Sequence, residues 1–122
     1  MTEEELKKRT KQFALRIIKL VNSLPKTEVA RVIGNQLLRA RTSVGANYRA
    51  VCFACSQADF ISKIGIVLEE SDESLYWMEL LVESEIVKEA RMKSIMQEVT
   101  ELTKIFIASL KTSKRNNVKS EI

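Results

Sequence analysis

Leu37-Leu38-Arg39-Ala40-Arg41-Thr42-Ser43-Val44-Gly45-Ala46-Asn47-Tyr48-Arg49 lies in the middle of a long helical pattern. Where that pattern should turn its most apolar face inward, it offers Ala40, Ser43 and Asn47, spaced three and four apart. Small residues at helical spacing let two backbones approach closely, and a buried hydroxyl or amide there must find a hydrogen-bond partner. The stretch therefore points to a specific helix–helix or subunit contact rather than an ordinary aliphatic core. Around it, one proline and three glycines in 122 residues leave little material for turns, which favours a few long helices over an all-β fold.

Upstream, Leu6, Phe13, Ile17, Leu20 and Leu24 mark one face, widened by Ala14, Ile18 and Val21, and define a first helix from about Thr2 to Asn22. Pro25 ends it, because the residue before a proline is pushed out of helical geometry. The second helix opens at the N-cap Thr27 and runs to about Cys55, with Val29, Ile33, Gln36, Ala40, Ser43, Asn47, Val51 and Ala54 on its face. Ser56 followed by Asp59 resembles a capping box and opens the third helix. There, Ile61, Ile64, Leu68, Leu75, Met78 and Val82 form one stripe, and Ile66, Glu70, Glu73, Trp77 and Leu80 a second. The pattern breaks at Ser84–Lys88. A fourth helix follows, carrying Met92, Ile95, Met96, Val99, Leu102, Phe106 and Leu110. Short connections between four helices imply an all-α, up-down-up-down antiparallel four-helix bundle over residues 1–112, with helices two and three the longer pair. Residues 113–122 read as a basic, flexible tail, with fraying expected from Lys111.

Charge is uneven along the chain. Residues 1–25 carry +3 and residues 26–58 carry +4, residues 59–88 carry −6, residues 89–110 are neutral and the remainder carries +3. Folding back near Ser56 sets Glu70 and Glu73 against the Arg39–Arg49 region. The favoured expectation is that Arg39 or Arg49 reaches Glu70 or Glu73 in a partly buried network with Ser43 and Asn47, which would fix register more than it adds stability. Tyr76 and Trp77 follow the two glutamates, and Trp77 shares their helical face.

The sequence argues against several kinds of chemistry. There is no histidine to serve as general base or zinc ligand, and a di-iron bundle would need Glu-x-x-His pairs. Cys52 and Cys55 have no second ligand pair and no preceding strand, so they read as small core or interface thiols. No glycine loop suits a phosphate. The expectation is no catalytic residue, no metal and no cofactor. The acidic N-terminus and the lack of any long apolar run suggest a cytoplasmic chain without a membrane partner. The better lead is basic: Lys7, Lys8, Arg9, Lys11, Arg16 and Lys19 in helix one, and Lys111, Lys114, Arg115 and Lys119 near the C-terminus. If helices one and four run antiparallel, these two groups are expected to merge into one phosphate-attracting patch. Arg31, Arg39 and Arg41 are secondary candidates.

Leu24-Pro25, Gln36–Ala40, Ser43–Ala50, Asp59–Lys63 and Glu70–Trp77 together resemble the bacterial 23S rRNA-intervening-sequence protein family. The resemblance implies a bundle that assembles into a ring-shaped homopentamer, and no enzymatic activity. It also implies a relation to accessory proteins of diversity-generating retroelements, which bind a reverse transcriptase and nucleic acid through a basic surface. Glu69 departs from relatives that carry a basic residue there, which weighs against an RNA-facing third helix. Ser43, Asn47, Arg49, Glu70, Glu73, Tyr76 and Trp77 are accordingly read as helix or subunit packing residues, and the helix-one and C-terminal cations as RNA-facing. Two alternatives stand beside this: a module that docks a partner such as a reverse transcriptase, and a passive product of a mobile insertion.

Overall fold

The computed structural model describes residues 1–40 and 44–116 in full and the backbone course of 41–43 and 117–121. Four helices result: α1 (Glu3–Asn22), α2 (Glu28–Val51), α3 (Gln57–Glu83) and α4 (Glu89–Glu121). Among the described residues there is no strand.

Each of the first three helices starts where a side chain satisfies free N–H groups. At α1 the Thr2 hydroxyl accepts from the Glu5 N–H (3.1 Å) while the Glu5 carboxylate accepts from the Thr2 N–H (2.9 Å), a reciprocal box. Thr27 accepts from the Ala30 N–H at 3.2 Å, and Ser56 from the Asp59 N–H at 3.1 Å. Asp59 does not complete the box. Its carboxylate reaches one residue further back, to the Cys55 N–H at 3.0 Å. The turn after α3 is closed by Glu85 at φ 64°, which lets the Leu81 carbonyl accept from both Ile86 and Val87.

Each helix packs on the next, and α4 touches α1 only lightly. The side-chain pairs fix directions. Going up α1, Arg9, Arg16 and Ser23 meet Glu98, Ser94 and Arg91, in descending order along α4. Likewise Gln57 and Ser71 of α3 meet Ser113 and Thr103 of α4. Both pairs therefore run antiparallel. The core includes Leu6, Phe13, Ile17 and Leu20 of α1, Leu37, Val44 and Tyr48 of α2, Ile64, Val67, Met78 and Leu81 of α3, and Met92, Val99, Leu102 and Phe106 of α4. The Tyr48 and Phe106 rings lie 5.9 Å apart between centroids.

Several expectations are corrected. The face α2 buries is Ala30, Ile33, Leu37, Ala40, Val44, Tyr48 and Val51, rotated from the one read in the sequence, and Val29 is exposed. Leu37, Val44 and Val51 carry more apolar area than Ser43 and Asn47, and that area sets the rotation. In α3, Ser71 and Ser74 are buried, their hydroxyls satisfied by Thr103 and by the Glu70 carbonyl. The second helix ends at Val51 rather than Cys55, and α4 is the longest helix at 33 residues. Lys111–Asn116 continue α4 as helix, with Ser113 buried and its carbonyl accepting from Gln57 Nε2 at 2.9 Å.

Candidate nucleic-acid interface

The thin contact between α1 and α4 is bridged by polar side chains. Arg9 pairs with Glu98 and, at 3.0 Å, with Glu101. Arg16 Nη2 donates to Ser94 Oγ at 2.9 Å, and Arg91 Nη2 donates to Ser23 Oγ. Arg9 thus spends its guanidinium on two carboxylates of α4, its charge neutralised within the fold. Among the described residues Arg16 and Arg91 bond only neutral hydroxyls with their side chains and keep their charge available to an anion.

At the α1 C-terminal end, this seam opens into a cleft of about 300 Å³ lined by Arg16, Lys19, Leu20, Arg91, Met92 and Ile95. Three cations and three apolar side chains line it, with no acidic residue among them. Such a lining suits a phosphate group, whose charge the guanidinium and ammonium groups can meet while the aliphatic walls lower the local dielectric.

The remaining basic candidates are dispersed. Lys7 is held by Glu4 at 3.2 Å and Glu3 at 3.8 Å, the first of these contacts chiefly raising its pKa. Lys8 and Lys11 are exposed on α1, and Lys111, Lys114 and Arg115 on α4. Lys119 lies outside the fully described residues. Glu101 stands level with Arg9, and Lys111 follows ten residues later, about 15 Å further along the axis. Lys111, Lys114 and Arg115 therefore stand beyond the level of Arg9, beside the start of α3, and Lys19 stands at the other end of α1, beside Arg91.

Where α2 faces α3, Arg39 Nη2 donates to Gln36 at 3.2 Å and pairs with Glu73 Oε1 at 3.1 Å, which also accepts from Trp77 Nε1 at 3.3 Å. Trp77 in turn meets the Tyr76 ring edge-on at 5.1 Å. The expected Arg39–Glu73 contact thus forms. Among the described residues Arg49 makes no ion pair with Glu70 or Glu73, and the Glu70 Oε2 atom is buried without a hydrogen-bond partner. Burial, then the Glu73 charge, raise the Glu70 carboxyl above its ordinary value against the opposing pull of Arg39. Asn47 is half-buried beside this face, and Ser43 and Arg41 lie outside the fully described residues. The cysteines divide: Cys52 is half-buried against the core, while Cys55 is exposed, so of the core-or-interface reading the core half does not hold for Cys55.

Two residues that sequence reasoning passed over belong to the basic surfaces. Arg91 completes the cleft, but its partners depend on where α4 crosses α1, and a single arginine in a charge-neutral segment carries no such signal. Phe53 stands 77% exposed at the α2–α3 connection with Lys7 Nζ 6.0 Å from its ring centroid. In the sequence it reads as one more apolar neighbour of the cysteines.

Among the described residues no cluster of metal-ligating side chains occurs, and no helix is long and apolar enough to cross a membrane. The 23S rRNA-intervening sequence protein family matches residues 2–108. The chain is also similar to the crystal structure of a protein of unknown function from the S23 ribosomal protein family of Bacteroides thetaiotaomicron VPI-5482. The two share 38% identity and a TM-score of 0.84, over 91% of this chain and 99% of that one. No curated protein matches. With a family match spanning nearly its whole length and a solved relative of the same shape, the chain belongs to the 23S rRNA-intervening sequence protein family.

Proposed function

We propose that this chain is a non-enzymatic, cytoplasmic, up-down-up-down antiparallel four-helix bundle that assembles as a homopentamer and binds structured RNA through basic surface residues. The observation that carries the RNA reading is the acid-free cleft of Arg16, Lys19 and Arg91 between α1 and α4. Each phosphate neutralised there releases condensed counterions, so affinity should fall steeply with salt. Repetition of the cleft around a ring would multiply a weak contact into a useful one. The small-residue side of α2 and the Glu70–Glu73–Trp77 face of α3, with exposed Ile66 and Tyr76, are the surfaces best suited to subunit packing.

The test is fluorescence anisotropy of a labelled ribosomal RNA hairpin, titrated at low and near-physiological salt. A log–log salt slope of several units is expected, and Lys19→Glu combined with Arg91→Gln should weaken binding at least about tenfold and flatten the slope. Circular dichroism checks that the double variant still folds. Absence of binding at low salt would sink the RNA reading and direct attention to a protein partner such as a reverse transcriptase.

A further inference from the structure

We propose that Phe53 is a stacking platform for an unpaired base in the loop of a structured RNA, so that the bundle end at the α2–α3 connection prefers unpaired over fully paired RNA. This rests on the RNA reading above and extends it to the class of RNA recognised.

The chain has four phenylalanines, of which Phe13 and Phe106 are fully buried and Phe60 packs against the core. Only Phe53 stands in solvent, 77% exposed. A ring that contributes nothing to the core is displayed at a turn whose backbone is tied down. The Phe53 N–H donates to the Ala50 carbonyl at 3.1 Å, the Ala54 N–H to Val51 at 3.0 Å, and the Cys55 N–H to the Asp59 carboxylate at 3.0 Å. A ring carried on so constrained a turn loses little backbone freedom when a base stacks on it.

The surroundings select the partner. Lys7 Nζ, itself paired with Glu3 and Glu4, lies over one face of the ring 6.0 Å from its centroid, within cation–π range, so a base stacks on the opposite face with the ammonium behind the ring. Lys8 stands on the next residue of α1, and Lys111, Lys114 and Arg115 are exposed where α4 passes the start of α3. The acids at this end are mostly occupied: Glu3 and Glu4 by Lys7, Glu5 by the α1 cap, and Asp59 by Lys63. A protein hot spot would need a rim of neighbouring contacts to exclude water from the ring. The residues that follow are instead small or polar and mostly exposed: Cys55, Ser56, Gln57 and Ala58. An exposed aromatic with a lysine at its face and further cations on the neighbouring helix ends is suited to grip single strands, because every unpaired base offers a π-face and its phosphate can be met by a cation. In a duplex those faces are already covered by neighbouring pairs.

The experiment compares the full chain with Phe53→Ala, Phe53→Leu and Phe53→Trp against a labelled unstructured RNA of about 12 nucleotides and a fully paired duplex of the same length. Phe53→Ala should weaken single-strand binding by about fivefold or more, leave the duplex unchanged and leave the salt slope unchanged, since no charge is removed. Phe53→Trp should restore affinity, and Phe53→Leu should not. An unchanged single-strand affinity in Phe53→Ala, an equal loss on both RNAs, or a leucine variant as good as the tryptophan one would each overturn the proposal. In those cases the RNA reading survives as long as the Lys19 and Arg91 changes still weaken binding. If the unaltered protein binds neither RNA at low salt, both fall together.

Discussion

Cys52 and Cys55 sit three residues apart and have opposite environments. Cys52 packs against the core at the end of α2, where burial, foremost, pushes its thiol up to about 11. Cys55 is exposed on the connection. Because the thiolate is the reactive form, iodoacetamide at pH 8 should label Cys55 first and Cys52 at least about tenfold more slowly, as read by peptide mass spectrometry. Equal rates would mean that the α2 terminus opens freely. Glu70 illustrates the same dependence on surroundings. Its spacing from Glu73 and Trp77 is plain in the sequence, yet the structure leaves one of its oxygens buried without a partner while Glu73 holds Arg39 and Trp77. Which of two neighbouring glutamates reaches the arginine is decided by about one helical step of rotation, finer than a spacing rule resolves.

Helix starts were legible because capping is local. Thr27 and Ser56 hold their N–H groups as their positions in the chain indicate. Helix faces were less so, since α2 carries two apolar stripes and only packing area chooses between them. Glycines show the same dependence on neighbours. A methyl group added at Gly65 meets nothing within 4 Å, whereas at Gly34 it would lie 3.2 Å from both Leu24 Cδ1 and Val21 Cγ1. Gly65→Ala should therefore stabilise α3 by about 0.5–1 kcal/mol through helix propensity. Gly34→Ala should gain less, because Leu24 and Val21 must shift. Urea denaturation followed by circular dichroism measures both, and a lower midpoint for Gly65→Ala would contradict the open space at that site.

At the scale of the molecule, the weakest helix pair is the most interesting. Where α1 and α4 barely touch, arginines replace aliphatic packing, and the gap between them becomes the cleft. The opposite side, α2 against α3, is more tightly packed and carries small residues, an incompletely satisfied carboxylate and exposed Ile66 and Tyr76. If that side joins subunits, sedimentation velocity should show a species about five times the 13.9 kDa of one chain. Asn47→Leu should then alter the size distribution while leaving helix content unchanged. A monomer at micromolar concentration would remove the ring and its avidity from the functional reading.

The sequence by itself determined the number of helices, where three of them begin, and the family, because periodicity, caps and a local motif are carried by neighbours along the chain. Only the tertiary structure decided which cations lie together. It neutralised Arg9 with Glu98 and Glu101, set Lys19 and Arg91 in one cleft, placed Lys111, Lys114 and Arg115 about 15–21 Å beyond the level of Arg9, and left Phe53 in solvent. The physical reason is that these outcomes depend on the relative rotation and axial offset of helices far apart in sequence. Both are set by how the apolar faces pack, and no single segment contains that information.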